Sequence, residues 1–274
     1  MKALPTILLT LLASTVQANQ TSGSGNDKNV ITQTARLQGY EIAQAADLSN
    51  TGWVDLTADL QMKLQNSYGT SSERLLKIKI LEVQGNETGD KSLVQFETPA
   101  NLKGTVLLTH AHAIKSDNQW QFFPSLKRVK RISSANKSGP FMGSQFAYED
   151  MSGWLLDKYS YALLGEEELQ GIASYQLQME PKYAQSGYTR LVTWLSKEHF
   201  YPMKTEFYDR KGALLKTLIY GDYHSYHNGR FWRAGEMMMN NHVTKKTTLL
   251  NWSNYRLNTA LNSLAFEKGS LTHL

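Results

Sequence analysis

Strict alternation constrains this chain more than any other feature. From Val54 onward, Leu56, Ala58, Leu60, Met62 and Leu64 occupy every second position, with mostly polar residues between them. Successive side chains of a strand point to opposite faces, so this pattern makes a strand with one dry face and one wet face. It returns at Leu76, Ile78 and Ile80, at Val94 and Phe96, at Val106–Leu108, and at Trp120 and Phe122. Later segments at 173–179, 191–195, 203–208, 214–220, 236–243 and 249–257 repeat it. Asp117-Asn118 and Asn228-Gly229 supply turn chemistry, the second being the stronger hairpin signal. Two segments break the period. Residues 30–48 space Ile31, Ala35, Ile42, Ala45 and Ala46 for a helix that stops at Asn50-Thr51-Gly52, and residues 149–164, with Met151, Trp154, Leu155 and Tyr159, predict a second. The fold class is therefore mainly β (α+β): ten or so strands in meander order form one antiparallel sheet. A sheet that long curls or closes, and the two helices are its expected cover. No internal repeat and no second domain is apparent.

The N-terminus reads as an export signal. Lys2 is followed by an apolar run over 7–16, too short to span a bilayer, and Val16-Gln17-Ala18 fits a small-residue cleavage site. We expect residues 1–18 to be removed, 19–29 to form a polar Gly/Ser-bearing leader, and 30–274 to form one exported domain. There is no cysteine, which excludes lipid attachment at cysteine and disulfides despite an oxidising destination. The net charge of +5 and pI near 9.1 favour anionic partners. After export nucleic acid is not expected, which leaves anionic lipid or acidic protein surfaces.

Residues 120–151 concentrate the functional signal. Trp120, Phe122 and Phe123 lead through Pro124 into a basic turn carrying Lys127, Arg128, Lys130 and Arg131. A polar loop over 133–139 follows, then Phe141, Met142, Gly143 and Phe146, then Tyr148-Glu149-Asp150. Apolar bulk beside dense positive charge suits an amphiphile with an anionic head. The basic run either grips such a head or an acidic partner surface, or is a solvated turn. Phe141, Met142 and Phe146 form either a hinged flap over a cavity or ordinary core.

This stretch resembles the LolA-like family of outer-membrane lipoprotein-sorting proteins. Further motifs carry the likeness across about 37–268. They are Glu41-Ile42-Ala43 through Gly52-Trp53, His199-Phe200-Tyr201-Pro202 with Lys204–Asp209, Trp232-Arg233, Asn241-His242, Lys245-Lys246-Thr247, and Trp252-Ser253-Asn254-Tyr255. The resemblance implies a half-open barrel with helices in its mouth. It also implies a periplasmic carrier or chaperone of lipid or lipoprotein acyl chains, delivering toward the outer membrane with transient membrane contact. Some members of the family look like accessories of inner-membrane exporters of the resistance–nodulation–division type. An alternative from the same fold is a lipid- or lipoprotein-sensing module of the envelope.

Trp120, Phe122, Phe141, Met142, Phe146 and Trp154 are the candidates to line or cover the cavity, and a monomer without cofactor is expected. No Gly-x-Ser-x-Gly elbow, phosphate loop or paired carboxylates suggest an enzyme. His110 and His112 share a strand face and read as a surface pair rather than half a metal site. Glu166–Glu168 read as a solvated loop. Met237–Met239 place two sulfurs on one face, as core or as adaptable cavity lining.

Overall fold

The computed structural model describes residues 31–84 and 88–273, so the expected signal segment and leader lie outside the described residues. Helix α1 (Gln33–Ser49) opens the described chain, its first turn capped by the Thr32 hydroxyl, which accepts from Ala35 N–H at 3.1 Å. The chain then enters the middle of a sheet and walks outward through β1 (Asp55–Gln65), β2 (Ser71–Leu81), β3 (Thr88–Thr98), β4 (Val106–His112), β5 (Asn118–Phe123) and β6 (Arg128–Arg131). After residues 132–158 it re-enters at the opposite edge. It walks back through β7 (Tyr159–Leu169), β8 (Ile172–Pro181), β9 (Tyr188–Ser196), β10 (Pro202–Asp209), β11 (Leu214–Tyr226), β12 (Phe231–Asn241) and β13 (Thr247–Leu257). The last strand pairs with β1.

The result is one antiparallel sheet of 13 strands in the order β6-β5-β4-β3-β2-β1-β13-β12-β11-β10-β9-β8-β7. Edges β6 and β7 do not pair with each other, so the curved sheet stays open as a half-barrel. Register shifts in β1, β7 and β10 bend the strands. The Asn228-Gly229 turn joins β11 to β12, with both residues at positive φ. Alternation sorts the side chains as expected: Leu56, Ala58, Leu60 and Met62 of β1 are buried in the main core.

Four expectations are corrected. Residues 149–164 are not a helix. Tyr148–Met151 and Leu156–Lys158 are single 3-10 turns, and Tyr159 begins β7. Met151, Trp154, Leu155 and Tyr159 do recur at helical spacing, but Gly153 weakens a helix there. The aromatic residues Tyr159 and Tyr161 gain more by pairing with Pro181 and Met179 of β8. Glu166–Glu168 consequently lie in this edge strand rather than in a loop, with Glu167 accepting from the Trp194 indole and Glu166 paired with Lys197. The basic run is also not a turn. Lys127 takes a left-handed conformation (φ 46°) after a 3-10 turn, and Arg128–Arg131 form edge strand β6, with Val129 facing Phe122.

One helix, rather than two, covers the sheet among the described residues, and it packs on β7. Gly39 makes that approach feasible: a Cβ there would sit 2.6 Å from the Ala162 backbone. A second apolar cluster lies on the other face of β3, β4 and β5, where Leu93, Val106, Leu108 and Phe122 are covered by Phe266 and Leu271 of the C-terminal 3-10 segments.

Candidate functional site

Topology places the site. Because β6 and β7 are opposite edges, the chain between them must cross the sheet, and residues 132–158 cross it as a strap. Apolar and polar anchors hold the strap down. Phe141 is fully buried, 5.8 Å from the Phe96 ring and 5.5 Å from the Tyr148 ring. Met142, at φ 49°, gives its carbonyl to Arg74 Nη1 at 2.5 Å. Gln119 and Gln121, buried on β5, meet Tyr148: Gln119 Nε2 donates to its carbonyl (2.7 Å), and its hydroxyl donates to Gln121 Oε1 (2.8 Å).

Three carboxylates complete the anchoring. Asp117 accepts from Ser152 Oγ (2.6 Å), Lys158 Nζ (2.7 Å) and the His112 N–H (2.9 Å), while Lys137 Nζ donates to its carbonyl. Glu149 accepts from Tyr183, Ser186 and the Gly187 N–H at 2.8–3.0 Å. Burial, with Asp150 beside it, raises its pKa despite those donors. Asp150 accepts from the Ala147 N–H (2.6 Å), Tyr188 (2.8 Å) and Lys216 Nζ (2.5 Å).

Beneath the strap the concave face leaves two adjoining cavities. The inner one, about 200 Å³, is lined by apolar side chains including Met179, Leu191, Phe207, Leu218 and Met239. The outer one, about 350 Å³, runs from the end of α1 to the start of β12 and is lined by Trp53, Phe200, Tyr201, Trp232, Met237 and Trp252 among others. Trp154, Gly153, Pro202 and Tyr220 border both. The outer cavity's polar lining includes two arginines, Arg230 and Arg233, and two carboxyls, Asp47 and Asp90. Arg233 donates to Asn50 Oδ1 (2.8 Å) and to the Trp232 carbonyl (2.9 Å), and Arg230 at the rim donates to the Thr51 carbonyl (3.2 Å). The indole N–H groups of Trp232 and Trp252 are buried without an acceptor among the described residues. Asp90 is the carboxyl most perturbed here. Burial pushes it up to about 6, against the Val83 N–H that it accepts. A larger cleft of about 610 Å³ lies on the strap's flank and is lined by Arg210, Lys211, Lys216 and Lys246, with Lys216 already committed to Asp150.

The six apolar candidates fall in three places. Trp154 borders both cavities and Phe146 the inner one. Phe141 and Met142 belong to the strap's packing on the main core. Trp120 and Phe122 point to the opposite face, into the second cluster, because on β5 the residues facing the hollow are Gln119 and Gln121. Lys127, Arg128, Lys130 and Arg131 are exposed along the β6 edge, with Arg131 Nη2 donating to Asn118 Oδ1 (2.8 Å).

The histidines are not a surface pair. His110 Nε2 meets the Phe266 carbonyl at 2.6 Å, while His112 is buried against Asn118, and burial lowers its pKa. Met237 and Met239 share the hollow, whereas Met238 faces out.

Sequence reasoning does not single out Arg233, Trp232 or Trp252 as site residues. The signal is nevertheless present: an aromatic-basic pair directly after the Asn228-Gly229 turn, and a tryptophan in an otherwise alternating β13.

Comparison with known proteins places this geometry. A family model described as that of an uncharacterised protein matches residues 88–273. A domain from Vibrio parahaemolyticus, described with its crystal structure as an outer membrane lipoprotein-sorting protein domain, is 47% identical, with a TM-score of 0.83 over 86% of this chain and 99% of that one. A DUF1329 family protein from Desulfovibrio piger is 27% identical, with a TM-score of 0.81 over the same shares. A LolA superfamily protein from Nitrosomonas europaea, 22% identical with a TM-score of 0.66 over 84% of this chain and 98% of that one, shares the fold. No curated protein matches the chain. The likeness to the Vibrio domain over nearly all the described residues makes the chain a member of that domain's outer-membrane lipoprotein-sorting family, and its open 13-stranded half-barrel with a strapped hollow has the LolA-like fold.

Proposed function

We propose that this protein is a non-catalytic periplasmic carrier that shields the acyl chains of a lipid or lipoprotein in its hollow and delivers them toward the outer membrane. The observation that supports this reading is the pair of adjoining cavities under the strap, lined by methionine, leucine and aromatic side chains. Each buried methylene is worth about 0.8 kcal/mol, so one long acyl chain loses on the order of 10 kcal/mol on entering water. A carrier must offset most of that and still let go. Methionines such as Met179, Met237 and Met239 suit this task, because a flexible thioether repacks around chains of different shape. The related Vibrio domain, assigned to lipoprotein sorting, supports the cargo class.

In this reading the carrier acts as a monomer and as an accessory of an inner-membrane exporter of the resistance–nodulation–division type. The exposed cations of β6 make the transient contact with an anionic membrane or an acidic partner surface. No helix among the described residues is long and apolar enough to cross a membrane. Mass spectrometry of organic extracts from protein purified gently out of the periplasm tests the reading. Co-purifying lipid or acylated peptide is the expected result. Protein that extracts empty and fails to take up any amphiphile when challenged would overturn it.

A further inference from the structure

The outer cavity holds two hydrogen-bond donors that no group among the described residues satisfies. Among the described residues, three buried side-chain polar atoms lack a partner, and two of them are the indole N–H groups of Trp232 and Trp252. Both residues line this one cavity. A buried donor without an acceptor loses its hydration with nothing to replace it, so two in one place call for an explanation.

Arg233 adds to the imbalance. Its guanidinium lies 5.8 Å from the Trp53 ring and 5.7 Å from the Phe231 ring, and both its acceptors are neutral oxygens. No ion pair among the described residues includes Arg233 or Arg230. Of the neighbouring carboxylates, Glu82 accepts from the Gly52 and Val54 N–H groups at 2.6 and 2.8 Å and Asp90 from the Val83 N–H at 3.1 Å, while Asp47 also lines the cavity, with its pKa raised by burial. Tyrosine hydroxyls at the same cavity are satisfied by backbone carbonyls, Tyr223 by Pro202 and Tyr255 by Ala234 (2.5 and 3.1 Å). Against the two arginines and the two indoles stand the carboxyls of Asp47 and Asp90, and burial raises the pKa of both, which lessens their opposition to an anionic ligand.

The geometry points to a head-group site: Arg233 and Arg230, with the indoles of Trp232 and Trp252, receive the anionic head of a single-chain amphiphile whose tail occupies the inner cavity past Trp154. This deepens the carrier reading and rests on it. The head is a phosphate or carboxylate, since a guanidinium fork and indole N–H groups are matched by charged, acceptor-only oxygens. One chain is the limit in this closed form, because the inner cavity holds only about 200 Å³. The polar end then faces the mouth between α1 and β12, while the strap covers the tail.

Displacement of a fluorescent fatty-acid analogue from the purified, delipidated protein tests this with four competitors: dodecyl phosphate, laurate, neutral 1-monolaurin and inorganic phosphate. The two anionic amphiphiles should compete roughly tenfold or more better than monolaurin, the range of a charge-assisted hydrogen bond. That ratio should collapse in Arg233→Gln and shrink in Trp252→Phe, which removes a donor but keeps a ring. If Arg233→Gln does not fold, Trp252→Phe and Arg230→Gln decide the matter.

Equal competition by charged and neutral amphiphiles, or a ratio that survives in the folded variants, overturns the head-group site and leaves the carrier reading standing. Inorganic phosphate binding as tightly as dodecyl phosphate would make this an oxyanion site that ignores the tail, which also overturns it. No binding by any amphiphile would remove the carrier reading together with this one.

Discussion

Replacing Asp90 by Asn should stabilise the protein at neutral pH and leave it unchanged in acid. Asp90 sits in β3 at the outer cavity, where burial pushes its pKa up to about 6 from 3.8, with Glu82 and Asp47 adding to the rise while the Val83 N–H and Arg233 oppose it. The folded state therefore holds this proton more tightly than the unfolded chain. Between pH ~4 and ~6 the folded protein binds more protons, so this group's contribution to stability falls as pH rises through that window and is flat above it. Holding the proton to about pH 6 rather than 3.8 corresponds to about 3 kcal/mol, an upper figure for a carboxylate that is not fully enclosed. Asn keeps the oxygen that accepts from Val83 at 3.1 Å and carries no charge. Urea unfolding of both proteins from pH ~3.5 to ~8 measures the effect, which should move the midpoint by up to roughly 1 M at about pH 7 and close to nothing below about pH 4. The same change should tighten binding of dodecyl phosphate at neutral pH, because it removes a like charge from the cavity. A variant no more stable than the wild type at neutral pH, or equally stabilised in acid, would refute the reasoning.

The strap's ion pair gives a second test. Lys158 and Asp117 are 2% and 4% exposed and 2.7 Å apart, so Asp117→Ala strands a buried lysine and should cost roughly 3–5 kcal/mol. Lys158→Met should cost less, since Asp117 keeps Ser152, the His112 N–H and nearby Lys137; equal losses by urea unfolding would contradict this. Phe141→Ala should destabilise by about 3–5 kcal/mol, because its ring is wholly enclosed. Trp154→Ala should spare folding and lower lipid retention instead, and the reverse order in calorimetry and extract analysis would reassign the two. Converting Lys127, Arg128, Lys130 and Arg131 to Glu should change stability by under about 1 kcal/mol per pair and abolish binding to anionic vesicles. Wild-type binding should weaken with salt; unchanged vesicle binding would make this edge a solvated strand only.

The strands are legible in the sequence because each has one face in water. Where Leu56, Ala58, Leu60 and Met62 alternate with polar residues, local pattern and burial agree, and β1 forms where the alternation lies. Sequence and structure part where those two disagree. In 149–164 a helical spacing of Met151, Trp154, Leu155 and Tyr159 competes with pairing to β8, and only the rest of the sheet decides for the strand. Residues 128–131 are four long and three of them charged, so nothing local separates an edge strand from a turn. The aromatic strand around Trp120 and Phe122 is recognisable from sequence but cannot be oriented by it: alternation says which residues share a face, not which face is the hollow. That choice is made by Phe266 and Leu271, far along the chain, which cover Phe122 on the outside.

The strap shows why a carrier needs both kinds of anchor. If apolar contacts alone held residues 132–158, any acyl chain entering the hollow would compete with the strap for the same surface, and closure would have no fixed register. Asp117, Glu149 and Asp150 bond to Lys158, Tyr183 and Lys216, partners that no hydrocarbon can replace. These bonds hold the strap in one position, while Trp154 and Phe146 remain to meet the chain. Burial costs such groups little net free energy when all are satisfied and a great deal when one is lost. In the proposed carrier, such a strap would close cooperatively and open as a unit, and releasing cargo would mean disturbing a few buried polar contacts rather than peeling back a continuous apolar seam.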